Sequence, residues 1–233
     1  MADVALVTGG NSGIGYEVVR GLAERGMVVY LGSRDAAKGE AAAAELASAG
    51  DVRAIRIDMM DDSGFQPVLD RIEREQGRLD VLVNNAGIAL SATTPDNIHR
   101  VFQTNLHGPV LFTQMSVPLL RRSSAARVVN VSSGAARFDF LRSDYLKGQP
   151  TGTAYAYCVS KTGLNAATVM FATALKDDGI KVNACNPGLV STKLSGMQGK
   201  TPAEGAVVII RLATAGPDGP SGGLFEEKGP VDW

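Results

Sequence analysis

Val4-Ala5-Leu6-Val7-Thr8-Gly9-Gly10-Asn11-Ser12-Gly13-Ile14-Gly15 lies almost at the start of the chain. An apolar run of strand length passes straight into a glycine loop, and a helical pattern follows over Ile14 to Arg25. Gly9 allows a sharp turn with positive φ. Gly13 removes a Cβ where a pyrophosphate must approach the backbone, and Gly15 lets the helix pack closely on the strand. The helix start offers free N–H groups and a partial positive charge to phosphate oxygens. With Asn11, Ser12 and Ile14 filling out the loop, the stretch predicts a dinucleotide-phosphate site and not merely a tight turn.

Working outward, short β-branched runs alternate with longer amphipathic or alanine-rich segments. Val4–Thr8, Met27–Leu31, Val52–Ile57, Leu79–Val83, Arg127–Val131 and Lys181–Ala184 read as strands, with a last short one near Leu224 and Phe225. Ile14–Arg25, Ala36–Ala49, Phe65–Glu75, Asp96–Leu120 and Ala156–Lys176 read as helices. Such alternation is the mark of βαβ units with right-handed crossovers. The expectation is an α/β fold: a single doubly wound Rossmann-like domain over residues 1–233, its central parallel sheet of about seven strands covered by helices on both faces. Phe138–Gly152 and Ala213–Gly223 break the alternation and read as loops.

Composition narrows the function classes. The chain has 233 residues, 45% hydrophobic and 20% charged, which suits one well-buried domain. A net charge of −1 gives no basis for a nucleic-acid or anionic-membrane partner. Two cysteines, Cys158 and Cys185, have no metal-ligand spacing, and no signal-peptide pattern or membrane-length apolar run appears. A cytoplasmic single-domain protein is expected. His99 and His107 have neither a Ser–His–acid nor a metal-ligand context, so they read as helix-surface or packing residues and no metal is expected.

The loop spacing Gly9-x-x-x-Gly13-x-Gly15 resembles the cofactor loop of the short-chain dehydrogenase/reductase family. Further marks of that family follow in order. The resemblance implies that Asp58, with Met59 beside it, holds the adenine. It implies that Asn85, Ala86 and Gly87, in Asn84-Asn85-Ala86-Gly87, line the nicotinamide ribose. It also implies that Pro187 and Gly188, in Asn186-Pro187-Gly188, and then Val190 and Thr192, contact the nicotinamide. Asn105, Ser133, Tyr157 and Lys161 match the family's catalytic tetrad, in which the asparagine holds a water on the proton path from the lysine.

Two parts of the site have their own chemical rationale. Tyr157 and Lys161 stand four apart on a helical segment and so share a face. A phenol titrates near 10 and must be acidified for proton exchange near neutrality, which a neighbouring ammonium favours. Tyr155 has Val159 in the corresponding place and reads as a packing or pocket residue, while the resemblance to the family's motif implies that Ser133, and not Ser132, is the catalytic serine. At the end of the second strand, Ser33-Arg34-Asp35 offers both an arginine and a carboxylate. Asp35 suits the N-cap of the next helix. Arg34 is left to clamp a ribose 2′-phosphate, which predicts NADP(H) as cofactor. The glycine loop carries no second basic residue, so the preference need not be absolute.

The long stretch between Ser133 and Tyr157, with the tail Gly223-Leu224-Phe225-Glu226-Glu227-Lys228, resembles the carbonyl-reductase branch of that family and favours a monomer over a homodimer. The short stretch Ser191–Lys200 predicts an open, mobile entrance. Phe138, Phe140, Leu141, Tyr145, Tyr155, Leu189 and Met197 are candidate pocket walls. The expected reaction is NADPH-dependent reduction of a ketone, aldehyde or quinone carbonyl, with Tyr157 as proton donor. Two other readings stand beside it: oxidation of an alcohol at the same site, and a non-catalytic NADP-binding sensor, which would be expected to lose a member of the tetrad.

Overall fold

A computed structural model of the chain describes residues 2–90, 94–144 and 155–233. Strands β1 (Val4–Val7), β2 (Val28–Ser33), β3 (Val52–Arg56), β4 (Val81–Asn84), β5 (Arg127–Val131), β6 (Lys181–Cys185), β7 (Leu224–Glu226) and β8 (Gly229–Val231) form one sheet. Their order is β3-β2-β1-β4-β5-β6-β7-β8. The first seven strands are parallel, and β8 closes the edge antiparallel to β7, with Pro230 opposite Phe225. The sheet therefore gains one strand over the parallel set expected from the sequence.

Both faces of the central strands β1, β4 and β5 are buried, which is why they read as nearly continuous apolar runs. Ala5 and Val7 of β1 point into a core shared with α1 (Gly13–Ala23), α2 (Ala36–Glu45) and α8 (Pro202–Ala213). Val4 and Leu6, offset by one residue, point into a second core with α3 (Phe65–Gln76), α5 (Gly108–Leu120) and α7 (Tyr155–Ala174). Helix starts follow their caps. The Asp35 side chain accepts from the Lys38 N–H, as expected, and Thr201 with Glu204 forms a reciprocal capping box ahead of Pro202.

The single helix predicted over Asp96–Leu120 is interrupted. Helix α4 (Pro95–Phe102) and α5 are joined by a π-helical turn, Gln103–His107, in which the Gly108 N–H donates to the Gln103 carbonyl five residues back. Pro109 has no N–H to continue the ordinary pattern, and Gly108 presses against the neighbouring Met59 backbone, where an added Cβ would sit 2.7 Å from its carbonyl oxygen. The Phe138–Gly152 stretch, read as loop, contains a helical turn, α6 (Phe138–Leu141). Among the described residues no helix is long and apolar enough to cross a membrane.

Candidate active site

At the carboxyl ends of β1 and β4, where the strand order switches direction, the chain leaves the sheet on opposite sides and opens a crevice. Thr8 and Asn85 stitch its floor. The Thr8 hydroxyl accepts from the N–H groups of Asn85 and Ala86 at 3.0 Å, and the Asn85 amide donates to the Thr8 and Gly9 carbonyls at 2.9 and 3.1 Å. Gly9 and Gly13 both take positive φ, at 65° and 56°. Gly15 is required by packing instead: a Cβ there would lie 2.3 Å from the Gly9 carbonyl oxygen. Ser12 makes no side-chain cap bond and no acidic residue occupies the first turn of α1, so its leading N–H groups face the crevice without a competing anion.

The resulting cleft has a volume of about 930 Å³. The glycine loop from Gly9 through Asn11, Ser12, Gly13 and Ile14 to Gly15 forms one wall. Arg34 stands at one end with Asp58 and Met59, while Asn85, Ala86 and Gly87 line the middle. Ser133, Tyr157 and Lys161 face them, and Pro187, Gly188, Val190 and Thr192 complete the far side. Asn105 is the exception among the predicted site residues. It is fully buried behind Gly87, with Oδ1 accepting from the Ile88 N–H at 2.8 Å and Nδ2 donating to the Ile88 carbonyl and the Ser160 hydroxyl.

The reacting-group candidates are close and largely desolvated. Tyr157 and Ser133 line the same cleft, and the Ser133 hydroxyl acts on the phenol of Tyr157. Burial pushes the Tyr157 phenol up from its ordinary value, and the Ser133 hydroxyl partly offsets this. Burial pulls the Lys161 ammonium down to about 8. Its Nζ donates to the Val131 carbonyl at 2.7 Å. The Cys185 thiol, beside the lysine in the same dry interior, is pushed up to about 12 by burial.

A nicotinamide dinucleotide fits this cleft on three counts. A Cβ on Gly13 would protrude to 3.3 Å from Thr192 across the cleft, and one on Gly87 would reach 3.4 Å from Lys161 Nζ. Arg34 is exposed and engages no partner among the described residues, leaving its guanidinium open to a phosphate. Ser33 is buried, its hydroxyl donating to the Asp35 carbonyl at 2.8 Å, and the neighbouring Asp35 carboxylate is engaged as the cap of α2. Sequence reasoning missed Lys38, which lies one helical turn beyond Arg34, lines the same end and is held 3.3 Å from Asp35. Its signal was its position at the start of α2. Ile88 and Thr104, also on the cleft, carried none.

Other expectations change. Leu189 and Met197 line the cleft, and Phe140 lines an adjoining hollow of about 610 Å³ that shares Ser133 and Leu189. Phe138 and Leu141 line neither, and Tyr155 packs on Phe102 with ring centroids 6.4 Å apart. Tyr145 lies outside the described residues. The stretch Ser191–Lys200, expected to be a loose entrance, is internally braced. The Ser191 N–H donates to the Lys200 carbonyl at 2.8 Å, the Met197 N–H donates to the Thr192 carbonyl, and the Ser195 hydroxyl bonds the Val190 and Gln198 carbonyls. Among the described residues no cluster of His, Cys, Asp and Glu is arranged to hold a metal.

Comparison with known proteins agrees with this arrangement. The family model for short chain dehydrogenase matches residues 3–203. Carbonyl reductase [NADPH] 1 of Pongo abelii is 35% identical over 274 aligned positions, covering 99% of this chain and 98% of that protein. Retinol dehydrogenase 12 of Bos taurus is 35% identical over 197 residues, covering 82% of this chain. The match spans only 62% of that relative's length. The structure titled as the NADP active-site complex of Pseudomonas aeruginosa RhlG superposes with a TM-score of 0.83 at 29% identity, over 97% of this chain and 95% of the other. With a family match running from β1 into α8 and the glycine loop, cleft and buried tyrosine–lysine pair in one place, the chain belongs to the short chain dehydrogenase family of oxidoreductases.

Proposed function

We propose that the protein is an NADPH-dependent reductase that converts a ketone, aldehyde or quinone carbonyl to an alcohol, with Tyr157 as the proton donor. The observation that carries this is the gathering of Ser133, Tyr157 and the buried Lys161 ammonium on one cleft beside the glycine loop. Two hydroxyls so placed converge on one substrate oxygen and stabilise the charge that develops there. A nicotinamide dinucleotide, held by the glycine loop and Asn85–Gly87, would supply the two electrons of the reduction as hydride. Tyr157 delivers its proton to the oxygen. Lys161, protonated at neutral pH with its value near 8, holds positive charge beside the proton path. Asn105 fixes the backbone at Ile88 from behind the cleft, so its proposed part is to hold that loop and a water on the proton path.

Arg34, assisted by Lys38, is the proposed clamp for the 2′-phosphate of NADP(H). The carbonyl reductase named above carries NADPH in its name, and the RhlG structure is a complex with NADP, which supports the choice. The retinol dehydrogenase relative favours a second reading, oxidation of an alcohol at the same groups. A cytoplasmic monomer belongs to the same proposal. Cys158 and Cys185 are both free and buried, which suits a reducing compartment.

The test is loss of NADPH absorbance against a panel of aldehydes, ketones, diketones and quinones, with NADH alongside and Tyr157→Phe as control. Turnover that favours NADPH and drops about 10²–10⁴-fold in the variant is expected. Near-full turnover by Tyr157→Phe would sink the assignment.

A further inference from the structure

The interface between β5 and α7 is polar where a core is ordinarily apolar. Lys161, Asn165 and Thr168 stand at i, i+4 and i+7 on one face of α7, and each meets a polar partner on β5 or its end. Lys161 Nζ donates to the Val131 carbonyl at 2.7 Å, the Ser132 hydroxyl donates to Asn165 Oδ1 at 2.6 Å, and the Asn130 amide donates to the Thr168 hydroxyl at 2.9 Å. A fourth bond, from the Thr162 hydroxyl to the Ala136 carbonyl at 3.0 Å, extends the seam past Ser133. Ser132, Asn165, Asn130 and Thr168 are all at most 4% exposed.

Apolar side chains tolerate small shifts of a helix along a sheet, whereas buried directional bonds do not. A one-residue slip of about 1.5 Å would break every bond of the seam and leave its groups unpaired in the dry interior. The reacting groups sit at the ends of the same two elements. Ser133 follows Ser132 directly, and Tyr157 lies two turns ahead of Asn165 on α7.

We propose that the Ser132–Asn165 hydrogen bond is a positioning device. It sets the register of α7 against the end of β5, and thereby the placement of Tyr157 and Lys161 relative to Ser133. The proposal rests on the reductase reading above. Neither residue reacts. The Ser132 hydroxyl is committed to this bond, and Ser133 is the serine that acts on Tyr157.

The experiment compares wild type with Ser132→Ala, Asn165→Leu, the double variant and Ser132→Thr, reading kcat, KM, dinucleotide Kd and the pH profile of kcat/KM. Each single variant is expected to lower kcat about tenfold, with the double no worse than the singles, because both remove one bond. Dinucleotide Kd should stay within about twofold, since the glycine loop belongs to β1 and α1 and not to the two elements that the seam joins. The apparent pKa of the proton donor should move in both single variants, and Ser132→Thr should restore kcat. Variants that lose thermal stability but keep the wild-type kcat and pH profile would show a purely structural bond and overturn the proposal. So would single losses that multiply in the double variant. If wild type reduces no carbonyl, the reaction assignment fails separately. The phenol of Tyr157, titrated by difference spectra against Tyr157→Phe, then decides: a shift in Ser132→Ala upholds the positioning role, and an unchanged titration refutes it.

Discussion

Lys161→Met is expected to make the dinucleotide-free protein more stable while abolishing turnover. The ammonium is 4% exposed, and burial lowers its pKa from 10.5 to about 8. That gap corresponds to about 3 kcal/mol against the charged form. The folded chain holds this proton less tightly than the unfolded one. The full penalty therefore acts below pH 8 and fades as pH rises through the folded value to 10.5. Methionine keeps most of the volume and removes the charge, but it also removes the hydrogen bond to the Val131 carbonyl, at a cost of about 1 kcal/mol. The net gain near neutrality is about 2 kcal/mol. Urea unfolding of both proteins without dinucleotide, at a series of pH values from 7 to 10.5, reads it directly. The advantage of Lys161→Met should be largest at pH 7 and should shrink, or reverse in sign, toward the top of the range. A variant less stable than wild type at pH 7, or an advantage that does not change with pH, would refute the reasoning.

Other outcomes follow from the same geometry. Arg34→Ala should lower the ratio of kcat/KM for NADPH over NADH by about 10–100-fold, the worth of a charge-assisted phosphate contact, and Lys38→Ala should do so by less because Asp35 already shares its charge. Steady-state kinetics with both cofactors checks the two together. Gly15→Ala puts a Cβ against the Gly9 carbonyl, a backbone atom that cannot rotate away, and should cost about 2–3 kcal/mol in denaturant unfolding as well as weaken dinucleotide binding. At the opposite end of the sheet, Asp80 is 3% exposed and accepts from the Val4 N–H at 2.7 Å, the Ser123 hydroxyl at 2.6 Å and Arg78 Nε at 3.0 Å. Asp80→Ala leaves those donors unmatched and should destabilise the chain by about 3 kcal/mol without altering cofactor preference, measurable by the same unfolding and kinetic assays.

The fold was legible because burial on both faces leaves its mark residue by residue. Ala5 and Val7 serve one core, Val4 and Leu6 the other, and the polar Thr8 ends the run where the loop begins. The residues named from the glycine loop and the strand ends come together for the same reason: parallel strands bring all their carboxyl ends to one edge. Features that depend on side chains meeting from distant segments were not legible. The π-turn that divides the Asp96–Leu120 helix escaped notice because a neighbour of Gly108, the Met59 backbone, comes from the segment after β3. The bracing of Ser191–Lys200 depends on one hydroxyl, Ser195, reaching two carbonyls, which glycine content alone does not reveal. Ser132 read only as the discarded duplicate of Ser133, since its partner Asn165 is more than thirty positions away.

The two outer strands bear on how the protein behaves when crowded. An unpaired strand edge is a template on which a second chain can polymerise. Here one edge ends in β8, only three residues long with a proline at its centre, which has no N–H to offer an incoming strand. The other edge, β3, carries Arg53 and Arg56, with Arg53 tied to both Asp51 and Glu75. Replacing Pro230 and Arg53 by valine would leave the active cleft untouched yet remove both stoppers, turning a self-limiting sheet into one that can be extended at either side.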